Sequence, residues 1–135
     1  MKKKFEFLEH TADIKIRVFG STLNEIFENL ILVISKYLSS DKEIISKKGK
    51  VIEVSGRDKE SLLYNFIEEL IYLVDAENFI TKKGEVSLRG NNLRAELYGD
   101  DASNYPINHI KSPTYSEMSI KKLTQGWQAI FVLDV

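Results

Sequence analysis

The chain has 135 residues, 43% apolar and 29% charged, with no cysteine. That composition supports a single domain over residues 1–135 with one core, and it excludes a disordered chain, a disulfide framework and a thiolate metal site. Nineteen basic residues against 20 acidic ones leave a net charge of −1, too little to draw nucleic acid over long range, and the apolar runs fall short of a membrane span.

The chain opens on Met1-Lys2-Lys3-Lys4 followed by Phe5-Glu6-Phe7-Leu8-Glu9-His10. This lacks the apolar run of a signal peptide, so a cytoplasmic protein is expected. His10-Thr11-Ala12-Asp13 is a polar tetrad, and Thr and Asp are ordinary turn residues. From Ile14 the chain alternates as a half-buried strand does, with Ile14, Ile16 and Val18 on one side and Lys15 and Arg17 on the other.

Thr22 and Glu25 have capping-box spacing, which predicts a helix whose apolar positions Leu23, Ile26, Phe27, Leu30 and Ile34 recur to about Leu38. Residues 39–50 read as a polar loop with a short strand at 43–46, followed by a strand at 51–54. Asp58 caps a second predicted helix with apolar positions Leu62, Leu63, Phe66, Ile67, Leu70, Ile71 and Val74; Glu68 and Glu69 lie on its solvated face.

The second half reads as hairpins. Phe79-Ile80 and residues 86–89 flank a turn at 81–84, and Gly90-Asn91-Asn92 turns the chain into a strand at 93–98. A loop over 99–113, in which Asp100-Asp101 is expected to be solvated, precedes a strand at 114–123; Gln125-Gly126 then turns into a last strand at 127–135. The expected fold is α+β: two helices packed on a mainly antiparallel sheet of roughly six to eight strands.

The last strand, WQAIFVLDV, is apolar on both faces, with Trp127, Ala129, Phe131 and Leu133 on one and Ile130 and Val132 on the other. This suggests a central strand covered on both sides. Asp134 closes it, next to the backbone carboxylate of Val135. A carboxylate ending a buried strand needs a lysine, backbone N–H groups or a bound cation as partner. Asp13, Asp134 and the main-chain oxygens of Val135 form a candidate oxygen cluster of the kind that hard divalent cations take. A solvated Asp at a strand end is the commoner circumstance. Neither an activated nucleophile nor a phosphate-cradling glycine loop is present as a motif. The lysine clusters fall at chain ends and turns without interleaved aromatic residues, as solvated lysines do.

Several stretches together resemble the archease family: FLEHTADI at 7–14, GSTLNEIFENL at 20–30, DKESLLYNFIEELIYLVDAENF at 58–79, KSPTYSEM at 111–118 and the closing VLDV at 132–135. They occur in family order across nearly the whole chain. Departures fall at Ser116, where many members carry His after Tyr, and at Ser112-Pro113, where a small residue and an aliphatic one are usual.

The resemblance implies a small cytoplasmic α+β protein that activates the RtcB-type RNA ligase of tRNA splicing. Such a protein promotes the ligase's guanylylation and repeated turnover and meets tRNA only through the ligase. The resemblance also implies a divalent metal site, often assigned to calcium, formed by Asp13, Asp134 and Val135. His10 and Lys111 match positions in family motifs and are further candidate functional residues. Two other classes compete with an accessory role: a metal-dependent enzyme using His10 as acid or base, and a general chaperone or RNA-binding module.

Overall fold

In the computed structural model, which describes residues 3–9 and 12–135, the Thr22 hydroxyl accepts the Glu25 N–H at 3.2 Å and opens helix α1 (Leu23–Leu38). The Glu25 carboxylate reaches back to the Ser21 N–H at 3.1 Å, so one orphan donor of the helix and the N–H just before its cap are both satisfied from one turn of sequence. Helix α2 (Lys59–Glu77) begins with a reciprocal box. Asp58 accepts the Ser61 N–H at 2.7 Å, and the Ser61 hydroxyl accepts the Asp58 N–H at 3.1 Å. Asn78 ends α2 in the left-handed conformation with φ 53°, which asparagine tolerates better than most residues.

Among the described residues seven strands complete the fold: β1 (Phe5–Leu8), β2 (Ile14–Gly20), β3 (Lys48–Ser55), β4 (Phe79–Arg89), β5 (Asn92–Asp101), β6 (Ser112–Lys122) and β7 (Trp127–Asp134). Their number lies within the expected range, but they form two antiparallel sheets, ordered β1-β2-β7-β6 and β3-β5-β4. Each helix touches both sheets: α1 lies on β4 and β2, and α2 on β6, β3 and β4. This explains why the apolar bands of the helices are broad, with Ile26, Phe27, Leu30, Ile31, Val33 and Ile34 of α1 all buried. The rings of Phe27 and Phe66 meet edge to face at 5.4 Å and join the two helices.

Three expectations are corrected. No strand forms at 43–46; instead Ile44 alone is buried there, and the Ile45 N–H donates to the Tyr105 hydroxyl. Residues 81–84 are not a turn, because β4 runs through them and absorbs Lys82 as a bulge between Thr81 and Lys83. Gly84 marks a close approach rather than a reversal: a Cβ there would lie 2.8 Å from Ile31 Cδ1 of α1.

The third correction is Asp100, which is 3% exposed instead of solvated. Its carboxylate accepts the Asp101 N–H at 2.8 Å and the Tyr105 hydroxyl at 2.8 Å, with Asn104 at 3.5 Å. The Asp101 N–H, then the Tyr105 hydroxyl, hold this carboxyl below its ordinary value of 3.8. A depressed carboxyl contributes stability that is complete above its unfolded-state value and is lost as pH falls through the lower folded-state value. Urea midpoints followed from neutral pH to below about pH 4 should therefore fall less steeply with acid in Asp100→Asn than in the wild-type protein. Equal slopes would remove Asp100 from the acid response.

Candidate metal and partner-facing site

Strand pairing brings the two ends of the chain together. In the β2–β7 ladder Ile14 faces Leu133 and Ile16 faces Phe131. The ladder ends at the Ile14–Leu133 pair, so Asp13, in the bend directly before β2, and Asp134, the last residue of β7, lie at the same end of it, although almost the full length of the chain separates them. On the other side of β7, Ser112 faces Asp134, and the Lys111 N–H donates to the Asp134 carbonyl at 2.8 Å. Three strand ends thus converge: the start of β2, the end of β7 and the start of β6.

Asp13 is half-buried at this corner, while Asp134, Val135 and the Lys111 side chain are exposed. The donors that meet here are carboxylate and main-chain oxygens, which suit a hard cation such as calcium or magnesium. Among the described residues no group of three or more His, Cys, Asp and Glu side chains is placed to hold a metal. A cation here would therefore take Asp13, Asp134 and main-chain oxygen from Val135, with water completing its shell. His10 and Thr11 lie outside the described residues.

Side chains alternate across a strand, so Lys15 and Arg17 share the face of the four-stranded sheet opposite to the buried Ile16 and Val18, as do Val132 and Asp134 of β7. Between Thr114 and Ser119 the β6–β7 pairing is interrupted, and residues 115–118 bulge out opposite the single residue Phe131. Side chains tie the bulge to both sides of the sheet. Tyr115 stacks on Tyr64 of α2, with ring centroids 4.3 Å apart and planes 5° from parallel. Glu117, at φ 61°, reaches over the outer face to the Lys15 ammonium at 2.8 Å. Bulges of this sort commonly re-aim side chains beside functional sites.

The pairing of Lys15 with Glu117 is not legible in the sequence, since register and bulge bring them together from 102 positions apart. The loop His109 sits elsewhere, 3.8 Å from Asp75 of α2 and largely exposed. An open cleft of about 630 Å³, lined by Glu53, Ser55, Ser87, Arg89 and Arg94 among others, belongs to the three-stranded sheet and includes none of the corner residues. No helix among the described residues is long and apolar enough to cross a membrane.

Two helices shared between a four-stranded and a three-stranded antiparallel sheet, with an oxygen-rich corner where the terminal strands meet, define a small α+β protein of distinct architecture. The chain belongs to the archease protein family (MTH1598/TM1083), whose profile matches residues 5–135. It is 38% identical to the archease of Pyrococcus abyssi over 141 aligned positions, covering 98% of this chain and 99% of that one. It is 34% identical to the archease of Sulfurisphaera tokodaii, with 98% and 99% covered. The fold is that of the solution structure of Methanobacterium thermoautotrophicum protein 1598, at TM-score 0.78 and 23% identity over 97% of this chain and 98% of that one. A crystal structure from Thermotoga maritima, described as an archease and possible chaperone, matches at TM-score 0.62 and 18% identity over 100% of this chain and 98% of that one.

Proposed function

We propose that the protein is an accessory activator of an RtcB-type tRNA-splicing RNA ligase, promoting the ligase's guanylylation and multiple turnover without joining RNA itself. It works in the cytoplasm, meets tRNA only through the ligase, and holds a divalent cation, calcium in this reading, on Asp13, Asp134 and Val135. The observation that carries the proposal is the end of the β2–β7 ladder, where Asp13 directly precedes β2 and Asp134 closes β7. Carboxylate and main-chain oxygens gathered at one sheet corner are the donors a hard divalent cation takes. The cation would give the corner a local charge larger than any side chain supplies. Lys111, whose N–H fixes the Asp134 carbonyl, positions the end of β7 for this role, and His10 keeps its family-motif assignment as a candidate contact.

The test is a splicing assay with the cognate ligase, GTP and cleaved tRNA halves in excess over enzyme. Added protein should raise the number of turnovers per ligase, and Asp13→Ala should abolish that gain while the variant stays folded by circular dichroism. Turnover unchanged by the wild-type protein would reject the activator reading, and undiminished activation by Asp13→Ala would reject the role of the site. RNA joining or nucleotide hydrolysis by the protein alone would favour the metal-dependent enzyme instead.

A further inference from the structure

On β4 and β5, Ser87 faces Arg94 and Arg89 faces Asn92, and β3 adds Glu53 opposite Arg94 and Ser55 opposite Asn92. Paired residues share a sheet face. These six are exposed, while Val86, Leu93 and Ala95 on the reverse are buried. Two adjoining rows, Ser87-Arg94-Glu53 and Arg89-Asn92-Ser55, therefore line the open cleft of about 630 Å³, a volume within the range of small-molecule sites. Short side chains stand between long ones in both rows, and the difference in length leaves the hollow.

Arg89 and Arg94 are diagonal neighbours across the β4–β5 ladder, roughly 7–8 Å apart at the backbone and within reach of one anion. Among the described residues Arg89 makes no side-chain hydrogen bond or ion pair, and Arg94 has only the Glu96 carboxylate at 3.6 Å. Glu53 also lacks a cation, although Arg94 is its register partner. Elsewhere on this sheet and its flanks charges are matched, Lys48 with Asp101, Lys50 with Glu77 and Lys82 with Glu43. Because β5 lies between β3 and β4, Glu53 stands two strand spacings, about 10 Å, from the β4 side of the cleft. The scaffold is fixed by α2. Lys59 Nζ donates to the Gly90 carbonyl at 2.7 Å and to Asn91 Oδ1 at 2.6 Å, and Asn65 Nδ2 donates to the Ser55 carbonyl at 2.9 Å.

We propose that this cleft binds a nucleoside monophosphate. Arg89 and Arg94 donate guanidinium N–H groups to the phosphate oxygens. Glu53, at the other end, accepts N–H donors from the edge of the base, and two adjacent donors such as those of guanine match both oxygens of a carboxylate. Inorganic phosphate alone would leave Glu53 as an unpartnered like charge beside it. The inference goes beyond the activator reading and does not depend on it, since no residue of the metal corner lines the cleft.

The experiment is an NMR titration of the isotope-labelled protein with GMP, inorganic phosphate and a single-stranded hexaribonucleotide, for the wild type and Arg89→Gln, Arg94→Gln and Glu53→Gln. All three positions are exposed, so the variants should fold as the wild type does. GMP should shift amides of residues 53–55 and 87–94 and bind at least about tenfold tighter than inorganic phosphate. Either arginine substitution should weaken GMP about tenfold, the loss of one charge-assisted contact. Glu53→Gln should weaken GMP about fivefold yet strengthen inorganic phosphate about twofold, because it removes an acceptor from one ligand and a repulsion from the other. No shift at millimolar GMP, or shifts outside the cleft, would overturn the proposal. So would equal affinity for GMP and phosphate, or a Glu53→Gln variant that binds both more tightly, since either result reduces the cleft to a plain anion patch. Tighter binding of the hexaribonucleotide than of GMP, with shifts running past the cleft, would replace the nucleotide site with an RNA surface.

Discussion

Phe66→Ala is expected to cost about 4 kcal/mol of folding stability, the usual loss for truncating a fully buried aromatic residue. Phe66 is 0% exposed and meets Phe27 edge to face at 5.4 Å. The substitution therefore removes ring volume and the contact that joins α1 to α2. Both helices are clamped between sheets through many other residues, so they cannot close the gap by sliding, and a cavity remains. With a urea slope of about 2 kcal/mol per molar, the midpoint should fall by roughly 2 M. Tyr72→Ala on the outer side of the same helix is the control. Tyr72 is 53% exposed, and its loss should stay within about 0.5 kcal/mol. Similar midpoints for the two variants would show that the helix pair is not a joint of the core.

The contrast between these two positions also shows what could be read from sequence. The 3.6-residue recurrence placed α1 at Leu23–Leu38 and put Phe66 and Ile67 on the inner side of α2, because local periodicity and caps act over a few residues. Division into two sheets is not local in that sense. It follows from which strand pairs with which, and β7 pairs with β2 and β6 while β5 pairs with β3 and β4. Gly84 was read as a turn glycine, yet its lack of a side chain serves the approach of Ile31 from a helix more than forty residues earlier in the chain. Asp100 looks like a solvated loop residue in the sequence, whereas β5 runs on to Asp101 and the folding back of residues 101–105 supplies the donors for its carboxylate.

The corner divides in the same way. Asp13 and Asp134 could be named from sequence as carboxylates at strand ends, but their juxtaposition is a property of the β2–β7 register. Lys15 was visible as a solvent-side residue of an alternating strand. Its partner was not visible, since residues 114–123 read as one unbroken strand whereas pairing is lost between Thr114 and Ser119. The bulge breaks the two-residue alternation and lets Glu117 adopt φ 61° over the outer face. The departure from family pattern at Ser116 falls inside this bulge, next to the residue that takes hold of Lys15.

The corner should also make stability depend on calcium, with Asp134→Asn giving opposite signs in its absence and presence. Asp134 is exposed and closes β7 at the end of the ladder where Asp13 precedes β2. In a chelator such as EDTA, removing one carboxylate lowers the negative charge gathered at the corner, so the variant should melt no lower than the wild type. Calcium at about a hundred times its dissociation constant stabilises a protein that binds it only when folded by about 2.7 kcal/mol. For a chain of this length that corresponds to a rise in Tm of roughly 10 °C. Asp134→Asn replaces a charged donor with a neutral amide oxygen and should lose most of this rise, so that in calcium the wild type melts well above the variant. Main-chain oxygen from Val135 cannot compensate, since a carbonyl or water in place of a carboxylate leaves the charge of the ion unbalanced. Scanning calorimetry of both proteins in calcium and in chelator reads the reversal directly. A calcium-induced rise of equal size in both proteins would place the ion elsewhere, and no rise in either would leave the corner carboxylates without a cation.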